Sequence, residues 1–367
     1  MFDPRHVGAR LDAELTAQAD ADSGQIWTRL RNSFVMPDCD ADPSIVQWAH
    51  RYTRNSQAFV SSLRTALPEI SYIQQIAARD DVPGEFVLLP WVESRYRSLP
   101  GKRSGSAGIW QIMPGTARVM GLRMVAHYDG RLDLQASSQA VMKLLSGYHA
   151  RFHDWRMASY AYNAGEFATA RFLDDQGSIK AGQSTTPRWP GHTVTEQHLS
   201  QILAIACVVR DPVRFGVALP TLAQDRRLTA VPINKTLSIT DAANRAGMSV
   251  AVLQQFNAAF LDGVIDGESG ADLLLPAGNA RQFRAAAMNR RAATAIGDDP
   301  RPGQPFSASA SRTQQVGPAQ THRIRSGENL WVIAHRYAVT VSQLRRWNSL
   351  RTDALQPGQL LSVGPAK

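Results

Sequence analysis

Apolar residues recur at helical spacing over almost half of the chain, and this periodicity limits the fold more than any other feature. Between Pro43 and Val209 the apolar positions repeat with a period near 3.6, the spacing that places them on one face of a helix. The residues from Val46 to Leu63 predict one early helical stretch, and Pro68 is expected to interrupt it before the period resumes. The block therefore predicts a mainly α-helical domain.

Polar residues and glycines predict where the later helices begin and end. Asp133 is a suitable N-cap for a helix over Leu134 to Phe152, because its side chain can accept a bond from a free backbone N–H. Asp154 predicts the start of the next helix, and Gly165 predicts its end. The last helix of the block is expected to stop near Asp211-Pro212.

The second half of the chain differs in composition and in apolar periodicity. Asn279 to Gln320 is rich in Pro, Gly, Ala, Ser, Arg and Gln without sustained apolar periodicity, which predicts a flexible linker. The segment from Thr321 to Val363 reads as a small module in the order β-α-α-β.

An internal repeat supports this division. A shift of 91 residues places Asn348 on Asn257 and Trp347 on Phe256, with further apolar positions in register. Two copies of one small unit are therefore predicted, and the first is degenerate. Leu273 to Pro276 would form the closing strand of that first copy.

Charge and cysteine content exclude some partners. Forty Lys and Arg against 31 Asp and Glu give a net charge of +9, but the basic residues are scattered and accompany no zinc-finger or RNA-binding signature, so we predict no nucleic-acid partner. No apolar run reaches the roughly 18 residues that a transmembrane helix needs. The first residues lack the apolar core of a secretory signal.

Cys39 and Cys207 are too few for a disulfide framework and are interpreted as buried, unreactive thiols.

Glu93 is the first candidate for chemistry, because it ends the otherwise apolar segment Leu88–Glu93. Such surroundings favour the protonated form of a carboxyl group, as a general acid requires. A solvent-facing glutamate at a helix end explains the same segment, so this alternative stays open on these residues alone.

Two further segments carry groups that could contact a polar ligand. In Gly105–Ala117, small residues allow close backbone approach, and Gln111 offers both a donor and an acceptor. In Ala161–Gly165, Tyr162 and Asn163 could bond a polar ligand. A tight turn before a helix explains the first segment equally well, and a helix C-terminus explains the second.

The order and spacing of these segments are more specific than any one of them. Glu93-Ser94, then Gly108–Ala117, then Ala161–Gly165 resemble the lytic murein transglycosylases with a goose-lysozyme-like fold, and among them the membrane-bound lytic murein transglycosylase D subgroup. The resemblance extends from about Trp27 to Phe283, and it implies a lysozyme-like catalytic domain.

The resemblance also implies a reaction with a single carboxyl group. Glu93 would protonate the oxygen between N-acetylmuramic acid and N-acetylglucosamine and then deprotonate the attacking carbon-6 hydroxyl, leaving a 1,6-anhydromuramyl end. No second acidic residue lies in the three segments, whereas two-carboxylate glycosidases need one. No cofactor and no metal is implied. The positions that match sugar-lining residues are Gln111, Met113, Ala161, Tyr162 and Asn163.

Several positions depart from the family pattern. Lys102 stands where the family commonly has serine, so either Ser104 or Ser106 could supply the hydroxyl, or Lys102 could contact a peptide carboxylate or simply be solvated. The segment Val194–His198 replaces Glu-Thr-x-x-Tyr, which places His198 where the tyrosine is expected and makes it a candidate sugar contact. In Asp129–Asp133, which resembles Asp-Glu-Arg-x-Asp, Gly130 replaces the glutamate.

The terminal module resembles a LysM domain. Such modules bind N-acetylglucosamine-containing glycans, which implies peptidoglycan glycan strands as the partner and contacts at Gly327, Asn329 and Leu330. A periplasmic or cell-envelope location follows from that substrate, and protein partners stay open. The predicted domains are an N-terminal extension (1–42), a lysozyme-like transglycosylase domain (43–220), a degenerate LysM-like module (228–278), a flexible linker (279–320) and a LysM domain (321–364).

Two other functions remain compatible with the sequence. A hydrolytic lysozyme on the same fold would leave reducing muramic ends instead of anhydro ends. A peptidoglycan-binding adaptor whose active site has decayed would explain the departures at Lys102, Gly130 and Val194, although Glu93 and Gln111 are intact.

Overall fold

The computed structural model describes residues 25–101, 105–176, 188, 193–267, 270–296, 321–324, 330, 333, 337, 341–348, 350, 355–356 and 358–364. The chain divides into two compact units, Met1–Asp299 and Pro300–Lys367. The predicted mainly α class is confirmed, since helices dominate the described residues and the strands are short. Among these residues, no helix combines the length and the apolar character needed to cross a membrane.

The helical part of the first unit runs from residue 25 to Arg210. Short 3₁₀ turns lie at Cys39–Ala41 and Gly84–Leu88. The helices are α1 (25–32), α2 (Pro43–Thr53), α3 (Ser56–Arg79), α4 (Leu89–Glu93), α5 (Pro114–Val119), α6 (Leu134–Phe152), α7 (Trp155–Ala164), α8 (Glu166–Gln176) and α9 (Thr193–Arg210). Strands β1 (Met124–Val125) and β2 (Tyr128–Asp129) form a small antiparallel hairpin between α5 and α6.

The early helical stretch differs from the prediction in two ways. It is two helices, because Asn55 leaves the helical conformation and its side chain caps α3 by accepting a bond from the Ala58 N–H. Pro68 lies inside α3 and does not interrupt it. A proline inside a helix costs about 3 kcal/mol. Leu67 and Ile70 are fully buried on either side of it, and the burial of their side chains offsets that cost.

The predicted helix caps are confirmed. The Asp133 carboxylate accepts a bond from the Ala136 N–H at 2.8 Å and α6 covers the predicted range. Asp154 accepts a bond from the Arg156 N–H at 2.7 Å, and Gly165 ends α7. These ends are set by local hydrogen bonds, which is why the sequence specifies them.

The first helix belongs to the core of the helical domain. Ile26, Trp27 and Leu30 of α1 are buried in the same apolar cluster as α3 and α9, and the Trp27 indole N–H donates to the Pro220 carbonyl at 2.7 Å. The predicted N-terminal extension over residues 1–42 therefore contains a structural element of the domain. Its apolar face buries three large side chains, and this burial decides its position.

Cys39 and Cys207 form a disulfide, so the interpretation as unreactive thiols is wrong. The bond joins the 3₁₀ turn before α2 to the last turn of α9, across 168 residues of sequence. Both cysteines are buried, which had suggested inert thiols, but the packing of α2 against α9 brings them together.

We expect the double variant C39A/C207A to lose stability, because the crosslink removes conformational freedom from the unfolded chain. The free energy of unfolding should fall by about 2–5 kcal/mol, measured by denaturant titration under oxidising conditions. A reductant should lower the stability of the wild-type protein to that of the variant and leave the variant unchanged. A wild-type protein that is insensitive to reductant would contradict the crosslink.

The rest of the first unit is the first copy of the repeat. Strand β3 (Leu228–Val231) pairs antiparallel with β6 (Leu273–Pro276), with Leu228 opposite Pro276. Between them lie β4 (Leu237–Ser238), α10 (Ile239–Ala246), α11 (Val250–Phe256) and β5 (Val264–Ile265). The closing strand lies where the repeat predicted it. The predicted order β-α-α-β is present, and the structure adds the short paired strands β4 and β5 on either side of the two helices.

Residues 277–296 form a helix, α12 (Ala277–Ile296), where a linker from Asn279 was expected. Ala280 and Phe283 on this helix are buried against the core of the repeat unit, and this burial stabilises a segment whose composition suggested a linker. The rest of the predicted linker lies outside the described residues.

The two copies share one hydrogen-bond network. Asn257 donates to the Leu253 and Leu274 carbonyls and accepts from the Leu274 N–H. In the second unit, Asn348 makes the same three bonds with Leu344 and Ser362. That unit contains β7 (Thr321–Arg323), α13 (Val341–Trp347) and β8 (Leu360–Ser362), with β7 and β8 antiparallel. The repeated network is the structural form of the sequence repeat.

Candidate active site

Glu93 is the last residue of α4, a single helical turn with a rigid setting. Leu89 and Trp91 of the same turn are buried, and the residues after Glu93 turn away sharply, since Arg95 and Tyr96 both have positive φ (57° and 56°). The Tyr96 hydroxyl donates to the Val87 carbonyl at 2.6 Å and fixes that turn. The Glu93 side chain is 17% exposed, so it faces a partly desolvated space.

His198 on α9 holds one oxygen of that carboxyl group. Its Nε2 lies 2.8 Å from Glu93 Oε1, and its side chain is 9% exposed. Its Nδ1 is buried and makes no hydrogen bond within the described part of the chain. Buried N–H groups without an acceptor are rarer in proteins than buried unpaired acceptors, so we assign the tautomer in which Nε2 donates to Glu93 and Nδ1 is the unpaired acceptor. Oε2 is then left for other partners.

The loop that carries Trp110 is tied to the residue after Glu93. The Ser94 hydroxyl donates to the Ile109 carbonyl at 2.8 Å, and Ala107 and Ile112 pair as an isolated bridge that closes the loop. Gln111 has positive φ (50°), and its side chain donates to Gly108 O at 2.7 Å. The Gln111 Oε1 accepts a bond from the Ser106 hydroxyl, so both ends of this amide are held by the loop.

The end of α7 approaches the same loop. The Tyr162 hydroxyl donates to the Trp110 carbonyl at 2.6 Å. Burial, and then the charge of Glu93, raise the pKa of Tyr162 well above its ordinary value, so the phenol stays protonated and can donate. Asn163 Oδ1 accepts from the Thr195 hydroxyl at 3.0 Å, which links α7 to α9. The three sequence segments therefore converge on one site.

Arg131 supports this loop from behind. It forms a two-pronged ion pair with Asp129 and donates from Nη1 to the Gly105 and Ile112 carbonyls at 2.8 and 3.3 Å. Gly130, between the two charged residues, has no room for a side chain, because a Cβ there would lie 2.9 Å from the Arg123 carbonyl oxygen. Sequence reasoning identified this segment only by resemblance and missed its structural role.

The other predicted site residues differ in their exposure and in their location. Met113 is 50% exposed next to the loop, whereas Ala161 is 1% exposed and could offer only its backbone. Leu330 packs in the core of the second unit. Val194 is exposed at the start of α9. Lys102, Ser104, Gly327 and Asn329 lie outside the described residues.

Three contributors were absent from the sequence-based site. Ser94, Arg131 and Thr195 bind no ligand in that scheme, yet each holds a predicted residue or its loop in place. The serine directly after Glu93 and the matched segments around Arg131 and Thr195 were the available signals. Their bonding partners lie far away in sequence, so pattern alone could not assign them.

Gly108 is the position at which the loop is least tolerant of change. Its φ is +77°, and a Cβ would lie 1.9 Å from the Arg131 carbonyl oxygen. We expect Gly108→Ala to lower the free energy of unfolding by at least about 2 kcal/mol, as measured by denaturant titration.

Gly115→Ala is the matched control. A Cβ at Gly115 meets no atom within 4 Å, and the residue lies in the first turn of α5. Alanine there should be neutral or slightly stabilising, by up to about 1 kcal/mol. Equal destabilisation by the two variants would contradict the steric argument.

Comparison with known proteins identifies domains at the same places. A family model described as the Transglycosylase SLT domain matches residues 71–183, which include Glu93, the Trp110 loop and Tyr162. The model described as the LysM-like domain of lytic transglycosylase MltD matches residues 227–291, and the LysM domain matches residues 322–364.

Relatives along the whole chain and along parts of it agree with these domains. The chain is 29% identical over 347 residues to membrane-bound lytic murein transglycosylase D of Escherichia coli K12, covering 94% of this chain and 74% of that protein. An N-acetylmuramoyl-L-alanine amidase of Staphylococcus haemolyticus is 45% identical over 49 residues, 13% of this chain and 15% of that protein. A probable peptidoglycan endopeptidase of Bacillus subtilis is 37% identical over 43 residues, 12% of this chain and 13% of that protein.

Proposed function

The chain belongs to the lytic murein transglycosylases of peptidoglycan, and we propose that Glu93 is the single group that gives and then takes the proton in its reaction. The convergence of Glu93, the Trp110 loop and Tyr162 on one site is the observation that carries this proposal. The Glu93 side chain is 17% exposed, so its carboxyl group can be reached by a substrate in the site.

The reaction needs no water. Glu93 transfers its proton to the glycosidic oxygen, and the bond from that oxygen to carbon-1 of N-acetylmuramic acid breaks, which frees the 4-hydroxyl of N-acetylglucosamine. The carbon-6 hydroxyl of the same muramyl residue then bonds to carbon-1, and its proton returns to Glu93. The N-acetyl oxygen of the sugar can hold carbon-1 between the two steps. Protons balance, and the product end is 1,6-anhydro-N-acetylmuramic acid.

His198 determines which oxygen of Glu93 transfers the proton. With Oε1 accepting the Nε2 proton, Oε2 is the oxygen that carries and recovers the catalytic proton. A preoriented carboxyl group loses less freedom when the substrate binds, which lowers the barrier. We therefore assign His198 as a positioning residue, a more specific role than the sugar contact expected from the sequence.

The other sugar-lining assignments remain predictions on the same site. We propose that Met113 and the Gln111 region contact the glycan on one side and Asn163 on the other, because Met113 and Asn163 are exposed beside the loop. The backbone of Ala161 and either Ser104 or Ser106 would complete the lining.

The predicted location is the periplasm or cell envelope, where the substrate lies. The Cys39–Cys207 disulfide supports this proposal, because disulfides persist in oxidising compartments outside the cytosol. The terminal LysM domain supports delivery of the enzyme to peptidoglycan, with Gly327 and Asn329 as the proposed contacts, whereas the buried Leu330 belongs to the core of that unit.

Glu93→Gln tests the catalytic assignment directly. The amide keeps the size and the contact with His198 but has no proton to transfer, so cleavage of purified sacculi should fall by roughly 10³-fold or more. Sacculus binding and the melting temperature should be unchanged. Wild-type products analysed by mass spectrometry should carry 1,6-anhydro ends.

The same analysis separates the alternatives. Reducing muramic ends would indicate a hydrolytic lysozyme, and sacculus binding without any product from wild-type protein would indicate a decayed adaptor. Cleavage that survives Glu93→Gln would contradict the assignment of Glu93.

His198→Phe tests the positioning role. Loss of the bond to Oε1 should lower kcat by roughly 10- to 100-fold with KM changed little, because the carboxyl group is misoriented after substrate has bound. His198→Gln, whose amide N–H can take the place of Nε2, should restore most of kcat. Gln197→Ala, at an exposed neighbouring position on α9, is the control. A change confined to KM would indicate a sugar contact instead.

A further inference from the structure

A second cleft lies beside the turn that carries Glu93. It has a volume of about 500 Å³ and is bounded by α2, the start of α3 and α4. Its walls include Arg51, Arg54 and Arg95 together with the aromatic rings of Tyr52 and Trp91, and no acidic residue lines it. This volume falls within the usual range for small-ligand sites, roughly 300–1,000 Å³. The cleft shares no lining residue with the sugar positions described above.

Two of the three arginines, Arg51 and Arg95, lie against aromatic rings instead of carboxylates. The Arg95 guanidinium lies 4.5 Å from the Trp91 ring centroid and 4.8 Å from that of Tyr52. Arg51 lies 4.5 Å from the Trp48 ring centroid. Ring contacts use the flat faces of a guanidinium and leave its edge N–H groups available. Within the described ranges, none of the three arginines has a salt bridge to an acid.

Three unneutralised cations around one concave surface repel one another, and an anion in the cleft would relieve that repulsion. An arginine edge presents two parallel N–H donors, the geometry that suits a carboxylate. The ligand chemistry that fits is therefore a carboxylate group.

The cleft is physically connected to the catalytic carboxyl group. Trp91 precedes Glu93 by two residues on α4, and Arg95 follows it by two in the left-handed conformation (φ +57°). The Tyr52 hydroxyl bonds Gln201 Oε1 at 3.1 Å, and Gln201 lies about one helical turn after His198 on α9. A ligand that orders Arg95 and Tyr52 would act on both elements that place Glu93.

We propose that this cleft binds the carboxylates of a peptidoglycan stem peptide while the glycan occupies the site of Glu93. The proposal rests on the proposed function, because peptidoglycan is the substrate and its stem peptides carry the carboxylates of the polymer. The cleft then makes the enzyme prefer peptide-bearing glycan strands over stripped ones.

The test compares two substrates and two matched variants. The substrates are glycan strands with their stem peptides and the same strands after an amidase has removed them. The variant R51E/R54E reverses two exposed charges in the cleft, and R281E/R284E makes the same charge change on exposed positions of α12. Melting temperatures show whether each variant is folded.

We expect R51E/R54E to lower kcat/KM at least about tenfold on peptide-bearing strands, the size of a lost charge-assisted hydrogen bond. Turnover of stripped strands by R51E/R54E, and of both substrates by R281E/R284E, should stay within about twofold of wild type, less than a typical hydrogen bond contributes. An equal loss on both substrates, or no loss on either, would overturn the proposal.

A third substrate identifies the ligand chemistry. Strands whose peptide carboxylates have been converted to amides should be cleaved by the wild-type protein at the lower efficiency of stripped strands. If the amidated strands behave like the native ones, the cleft does not read carboxylates and the proposal fails. Anhydro products from wild-type protein on stripped strands show that the proposed reaction holds, whatever the cleft binds. Failure of the cleft proposal is therefore distinguishable from failure of the proposed function.

Discussion

The candidate active site depends on one contact between two helices, the hydrogen bond between His198 on α9 and Glu93 at the end of α4. Because α4 is a single helical turn, it constrains the Glu93 side chain weakly. The bond to the long helix α9 gives that side chain a second point of attachment. The disulfide ties α9 to the turn before α2, and Thr195 ties it to Asn163. Each of these links reduces the freedom of Glu93 relative to the groups around it.

The Trp110 loop contributes its backbone more than its side chains. The carbonyls of Ile109 and Trp110 accept the hydroxyl bonds of Ser94 and Tyr162, so the loop connects the residue after Glu93 to the end of α7. Such a loop works only if its carbonyls keep their directions. Gly108 permits the necessary turn, and Arg131 holds the carbonyls on the far side.

Local signals predicted the caps of α6 and α7, because each cap is a bond between residues two or three apart. The order of motifs predicted which residues meet at the site. The sequence could not predict the bond between His198 and Glu93 or the disulfide, because 105 and 168 residues separate the partners and only the packed helices bring them together. The prediction that Pro68 would interrupt the helix was wrong for the opposite reason. Burial of the neighbouring side chains outweighed the local preference of proline against a helix interior.

The two copies of the repeat share one hydrogen-bonding asparagine but pack against different surroundings. Both keep the asparagine that ties the second helix to the closing strand. The first copy shares its core with Tyr128 and Leu132 of the helical domain, and its Phe260 ring stacks edge-on with Tyr128. Since Tyr128 bonds Asp133 and lies next to the Asp129–Arg131 pair, this copy supports the segment that holds the Trp110 loop. The first copy therefore packs as part of the helical domain, whereas the terminal copy has a core of its own.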